Sequence, residues 1–449
     1  MEEHEEADVI VVGAGVAGLA AAGELAAAGL HVVVLEARRR IGGRVLTVHE
    51  PGVPVALELG AEFVHGRLTV TNELAVGAGL PLVEVPGERW VGDGETLEEQ
   101  DDLEDDLEDV FSRLDPDRSP DRSFADFLAD SFHGERWQAR RELALQFVRG
   151  FHAAEPGRAG ERGLARAVAR EAEIDGFRSY RFPRGYDGLV RLLADRSPRP
   201  RLGRAVTEVR WRAGEARVTA RNSGGVERYS APRGLVTLPL GVLKAAAGEA
   251  GAVRFDPPLD AKRAALAGIE VGAACRVVLR FERRVWADPA LVPNAKGADT
   301  SGVSFLFTRL PGRTFPVFWT AAPGEAPLVV AWAGGPDAER LAGVSGDELA
   351  RRAVDTLSEL LGAPPGRLES ALLGAHVHDW VGDPYSRGAY SYLAVGGLEA
   401  PAALAAPLDD TLYFAGEATD LVGDIGTVHG AIATGARAAR EIIARAQQR

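Results

Sequence analysis

The chain holds a single cysteine, Cys275, among its 449 residues. No intramolecular disulfide or cysteine-built zinc cluster can form from it, so thiol redox chemistry is excluded, no metal is expected, and a reducing compartment, the cytoplasm, is expected. Long apolar runs are also missing, since no window approaches the ~18 consecutive residues of a spanning helix. The acidic opening, Met1 to Glu6, lacks the basic-then-apolar order of a secretory signal. Lysine occurs only at 244, 262 and 296, against 51 basic residues in all, and this is read as compositional bias rather than function. A net charge of -14 speaks against a nucleic-acid backbone as partner. What is abundant is glycine, 53 residues, with hydrophobic and charged fractions of 46% and 26% that are ordinary for globular chains. At roughly 150 residues per domain, two or three packed units are expected.

The first thirty-six residues carry the strongest local pattern. Val9 to Val12 is a β-branched run suited to a strand buried on both faces, and it leads into Gly13-Ala14-Gly15-Val16-Ala17-Gly18. A helix is expected over Leu19–Ala28, stopped by Gly29, then a strand over His31–Leu35 ending at Glu36. In such a unit Gly13 makes the tight turn, Gly15 lets backbone N–H groups approach a pyrophosphate, and Gly18 allows close packing. Glu36 is placed to accept from a ribose hydroxyl, so a dinucleotide is expected, with NAD and FAD both open at this point.

The residues that follow resemble the flavin amine oxidase family, which includes monoamine and polyamine oxidases and histone lysine demethylases. Five stretches carry the resemblance, in order: Glu36-Ala37 through Gly42-Gly43-Arg44, Glu58 to Gly66, Thr237 to Lys244, Tyr413 to Thr419, and Gly426 to Ala431. It implies an α/β fold in which a Rossmann-like FAD-binding domain (1–80, 186–264 and 384–449) is interleaved with an α+β substrate domain (81–185 and 265–383) built on a mostly antiparallel sheet. It also implies FAD held by Gly13, Gly15, Gly18, Glu36, Ala37, Gly43 and Arg44, by Gly60, Ala61 and Val209, and by Gly416, Glu417, Thr427 and Val428. The helix after Thr427 would point its N-terminus at the flavin. Ala389 stands where monoamine oxidases carry the cysteine bonded to the cofactor, so noncovalent FAD is expected.

Between the cofactor segments, Leu103, Leu107, Val110, Phe111 and Leu114 recur at helical spacing, with acids from Glu98 to Asp109 on the opposite, solvated face. Glu135 to Ala172 also reads as helical, and Gly435 to Arg449 as a surface helix. Strands are expected at Val206–Val209, Arg276–Phe281, Val303–Thr308, Val317–Thr320 and Leu328–Trp332, and a helix at Asp347–Leu361. The long inserted helical hairpin of the demethylases is missing from the sequence.

For the chemistry, the resemblance assigns Tyr390 to one aromatic wall beside the amine, with Thr427 at the place of the opposite wall and Trp380 as further aromatic surface. His65 matches a substrate-facing position, where a neutral imidazole could take a proton. Glu62 and Asp424 are read as structural acceptors near the pocket mouth rather than as bait for a cation. Arg276 departs from the family, whose strand carries a lysine that assists dioxygen; arginine is planar and permanently charged, so the two are not equivalent. Cys275 should be a core residue facing away from Arg276. The expected activity is oxidation of a small-molecule amine to an imine with dioxygen reduced to hydrogen peroxide. An FAD dehydrogenase or desaturase using another acceptor, and a flavin-binding protein without activity, stay open. A homodimer is also left open, because an interface leaves no periodic signature here.

Overall fold

The structure, a computed structural model, describes residues 4–53, 55–67, 69–100, 103–310 and 312–448. The acidic start, Met1 to Glu3, lies outside them, as does the side chain of Leu103. Val9–Val12 and Val32–Leu35 are β-branched throughout or nearly so, and both are wholly buried. They form the centre and one edge of a four-stranded parallel sheet whose order is Leu412–Phe414, Arg233–Val236, Val9–Val12, Val32–Leu35. Strands buried on both faces need cover on both. Helices Val16–Ala27 and Val428–Ala446 cover one face, and they meet backbone to backbone, since a Cβ on Gly435 would lie 2.2 Å from the Ala17 carbonyl oxygen. A second sheet of five strands, from His4–Glu6 at one edge to Arg254–Asp256 at the other, covers the opposite face through Ile10, Val33, Val209 and Val218.

The expected antiparallel sheet is present as seven strands, ordered Leu372–Val377, Ala274–Phe281, Leu328–Gly334, Val317–Thr320, Phe305–Thr308, Arg89–Gly92, Leu97–Glu99. One pair, Phe305–Thr308 with Arg89–Gly92, is parallel. Strand alternation splits the Ala274–Phe281 side chains. Cys275, Val277 and Leu279 pack beneath the amphipathic helix Gly346–Leu361, while Arg276 and Val278 turn to the other face with Trp319 and Val330.

Three expectations need correction. The acids at Glu98 and Glu99 belong to a strand, and the helix behind them covers only Leu103–Phe111. Glu135 to Ala172 is broken into helices Gln138–Gly150 and Glu161–Ile174, with Ala153 in the left-handed region at φ 50° in the break. The last helix starts at Val428 and buries Ala438, Ala439 and Ile442 against the parallel sheet's helical layer, so it is a core helix with one wet face.

Candidate active site

A cavity of about 1280 Å³ lies where the loops after all four parallel strands face the seven-stranded sheet. This is the carboxyl end of the strands, where doubly wound sheets bind ligands. Gly13 sits at φ 113°, and a Cβ there would meet the Thr237 hydroxyl at 2.7 Å. Across from it a second glycine turn closes in: the Gly42 N–H donates to the Ala14 carbonyl at 2.9 Å, and a Cβ on Gly43 would lie 3.2 Å from the Gly15 Cα. Helix Val16–Ala27 begins at Gly15 with no side-chain cap, which leaves its first N–H groups for an anion.

Glu36 is 5% exposed, and its two oxygens accept from the Ala14 and Arg38 N–H groups, each at 2.9 Å. Those bonds fix the carboxylate on the cavity wall, and each oxygen keeps a lone pair for a ribose hydroxyl. Arg44 donates to the Ala389 carbonyl at 2.6 Å and to Glu417 at 2.9 Å. Glu417 in turn accepts from Ser391 Oγ at 3.0 Å and Gly426 N–H at 2.9 Å, tying four distant segments together. Thr427 caps helix Val428–Ala446: its hydroxyl accepts from the Gly430 N–H at 2.9 Å and donates to the Asp424 carbonyl at 2.6 Å. Its hydroxyl is engaged in the cap, and Thr427 also lines the cavity. The glycine cradle, the buried acid and two helix N-termini on one wall are a donor set that fits FAD.

Every predicted site residue lines this cavity except Gly18 and Val209. Gly18 acts through packing: a Cβ there would stand 2.0 Å from the Gly13 carbonyl oxygen. Val209 is turned into the core between the sheets, because a register shift between Val206 and Glu208 puts Val206 and Val209 on one side of strand Ala205–Arg212. Of the two, Val206 reaches the cavity wall.

At the other end the wall is aromatic. His65 Nδ1 is 3.1 Å from the Ser179 hydroxyl, with the Phe151 ring edge-on at 5.2 Å and Phe63 at 6.0 Å. Burial, with a smaller push from His429, lowers its pKa to about 4, so the imidazole is neutral at physiological pH. The Tyr390 hydroxyl donates to the Phe151 carbonyl at 2.8 Å, and burial raises its pKa. Trp380 is held by its indole N–H on the Leu59 carbonyl at 2.8 Å. The Arg276 guanidinium is buried, bonded to the Gly60 carbonyl at 2.8 Å and paired with Glu62, and its centre lies 5.2 Å from the Trp319 ring centroid. Burial lowers its pKa to about 10, which leaves it charged. Glu62 also takes the Trp319 N–H at 2.9 Å and lies 3.4 Å from Arg181, and Asp424 is held by Arg170 at 2.9 and 3.1 Å. Both acids are therefore structural acceptors.

Sequence reasoning missed Phe63, Phe151, His152, Glu171 and Trp319. Phe151 and His152 occupy the break between two helices, and Pro156-Gly157 just beyond was the available signal. His152 Nε2 is enclosed without a partner, and burial lowers the ring's pKa to about 4. Among the described residues there is no group of three or more metal-binding side chains, and no helix is long and apolar enough to cross a membrane.

The sequence profile of the family described as flavin containing amine oxidoreductase matches residues 16–443. Polyamine oxidase 2 of Arabidopsis thaliana is 30% identical over 98% of this chain and 89% of its own. Lysine-specific histone demethylase 1 homolog 3 of the same plant is 29% identical over 98% of this chain, which spans only 30% of that relative's length. Among solved structures, putrescine oxidase bound to putrescine superposes with a TM-score of 0.78 at 21% identity, covering 98% of this chain and all of that one. Cyclohexylamine oxidase from Brevibacterium oxydans IH-35A gives 0.77 at 21% identity, covering 98% and 99%. At that identity these two likenesses speak for the fold.

Proposed function

Because this chain belongs to the flavin containing amine oxidoreductase family, we propose that it oxidises a small-molecule amine to an imine with noncovalently held FAD, passing the electrons to dioxygen. The observation that carries this is one cavity with a dinucleotide cradle at one end and an aromatic wall bearing a neutral histidine at the other. Bound there, FAD supplies the two-electron oxidation of the carbon next to a neutral amine nitrogen. Gly13, Gly15, Glu36, Gly43, Arg44 and the two helix N-termini hold it. With Ala389 on the wall and Cys275 buried in the sheet core, no thiol is placed to bond to it.

Substrate handling falls to this chain's own groups. Phe63, Phe151 and Tyr390 surround the amine with apolar surface and displace water, which favours the uncharged nitrogen that can be oxidised. His65 Nε2 accepts a hydrogen bond from that nitrogen, while Nδ1 is oriented by Ser179. Trp380 and Arg276 are fixed by their hydrogen bonds and hold the floor of the site rigid. The division into cofactor segments 1–80, 186–264 and 384–449 and substrate segments 81–185 and 265–383 is part of the proposal, supported by the parallel sheet drawing only on the first set. A cytoplasmic location is also proposed, on the single buried cysteine.

A second reading, an FAD dehydrogenase using another acceptor, is favoured by Arg276, whose guanidinium is committed to Glu62 and Gly60 where the family carries a mobile lysine. Aerobic peroxide production across a panel of amines, followed by anaerobic bleaching of the flavin, separates the readings. Peroxide together with bleaching supports the oxidase. Bleaching without peroxide selects the dehydrogenase, and no bleaching by any amine removes both.

A further inference from the structure

Helix Glu161–Ile174 joins two stretches of the cavity wall. Its last turn rests on the strand that carries His65, since the Arg67 N–H donates to the Ile174 carbonyl at 2.8 Å. One turn earlier Arg170 holds Asp424 by two hydrogen bonds, 2.9 and 3.1 Å, on the loop that leads into the last helix. Gly426 of that loop lies against Tyr390, where a Cβ would stand 3.3 Å from the ring. The loop therefore borders the aromatic end of the cavity, and the first turn of helix Val428–Ala446 brings His429 to the same wall.

His429 is 6% exposed. Its Nε2 is closed off, 3.3 Å from Asp424 Oδ1 and without a well-formed hydrogen bond, while Nδ1 has no partner among the described residues and is left open to the cavity. A carboxylate fixed by an arginine on one side of an imidazole sets its tautomer: the hydrogen sits on Nε2 toward Asp424, and Nδ1 keeps a lone pair. His65 has no such support, because its Nδ1 meets a neutral hydroxyl, that of Ser179.

We propose that His429, backed by Asp424, takes the proton that a substrate ammonium must lose before it is oxidised, directly or through one water. The inference rests on the amine-oxidation reading of the same cavity and adds a second imidazole to it. One N–H bond of the ammonium breaks and one forms at His429 Nδ1; Asp424 balances the imidazolium, and no electrons change hands. His65 cannot hold that proton at physiological pH, because burial, and then the charge on His429, lowers its pKa to about 4. It hydrogen-bonds the neutral nitrogen instead. The other charged groups around His429 are committed elsewhere: Arg44 engages Glu417, Arg170 engages Asp424, and Asp420 accepts from the backbone N–H groups of Val422, Gly423 and Asp424. Asp424 is thus the carboxylate left beside the ring.

The test is anaerobic stopped-flow reduction of the flavin from pH 6.5 to pH 10 by butylamine, 2-phenylethylamine and 1,4-diaminobutane, amines that are mostly ammonium ions below about pH 9. His429→Asn keeps a polar side chain but cannot hold a proton. It should lower the apparent second-order rate constant at least about tenfold at pH 7, and most of that loss should be regained at pH 10, where the amine arrives neutral. An imidazole that only supports the helix would give a loss independent of pH. Asp424→Asn keeps the ring but removes its counter-charge, so the acidic limb of the wild-type profile should move down by about one pH unit. This variant carries the test if His429→Asn loses its flavin. The inference alone is overturned if His429→Asn reduces at the parent rate at pH 7, if its loss is the same at pH 7 and pH 10, or if Asp424→Asn leaves the acidic limb in place. Reduction of the wild type by none of the three amines overturns the amine-oxidation reading and this inference with it.

Discussion

Arg276 and Glu62 form a buried pair in which the guanidinium spans from the Glu62 carboxylate to the Gly60 carbonyl, 2.8 Å away, over the face of Trp319. The pair joins the seven-stranded sheet to the segment that passes the cofactor cavity. Removing one partner of such a pair leaves an uncompensated charge, so Glu62→Gln should lower stability by about 3–5 kcal/mol. Chemical denaturation followed by tryptophan fluorescence measures this, and a loss below about 1 kcal/mol would show the pair to be solvated in solution.

The same pair separates oxidase from dehydrogenase. Arg276→Lys places the family's usual group on the strand, with a head small enough to leave Glu62 and face the cofactor. Photoreduced variant mixed with aerated buffer should reoxidise at least about tenfold faster than the parent, a barrier change of ~1.4 kcal/mol. Equal rates, with a fast parent, would mean that Arg276 already supports the reaction and would favour the oxidase.

Glu36 holds two backbone N–H groups besides its proposed ribose bond. Glu36→Ala should therefore weaken FAD retention by about 1.5–3 kcal/mol, roughly ten- to a hundredfold in Kd, and also lower the Tm of the apoprotein. Flavin titration and differential scanning fluorimetry report the two effects separately. An unchanged Kd would remove Glu36 from the cofactor site.

Acid denaturation should release the flavin into the supernatant, since Ala389 offers no sulfur for a bond. Colour that stays with the precipitated chain would contradict noncovalent binding.

His152 tests the electrostatics of the cavity wall. Its folded pKa, about 4, lies below the ordinary 6.5 because the ring is buried. The unfolded chain thus binds the extra proton first, and stability is lost as pH falls from about 6.5 toward 4. Replacing the ring by one that cannot titrate, His152→Phe, should raise relative stability by about 1–2 kcal/mol at pH 5 compared with pH 7.5. A difference between variant and parent that is constant over that range would place the imidazole in contact with water.

The first two strands of the parallel sheet were legible because their signals are local: Val9–Val12, the spaced glycines and Glu36 lie within one stretch of chain and decide their own conformation. Cys275 and Arg276 could likewise be assigned opposite faces from strand alternation alone. The substrate wall was not legible. Phe151 and His152 become wall residues only because a helix breaks between Gly150 and Glu161. Val209 was misplaced by a single-residue register shift, which leaves no compositional mark.

The order of strands in the parallel sheet sets a timetable for biosynthesis. Val9–Val12 is made before its neighbour Arg233–Val236, which follows more than two hundred residues later, and Leu412–Phe414 is the last strand of the sheet to be made. The helix that seals it, Val428–Ala446, follows that last strand along the chain. A chain cut before Leu412 would therefore lack both the last parallel strand and the helix whose N-terminus completes the cofactor wall.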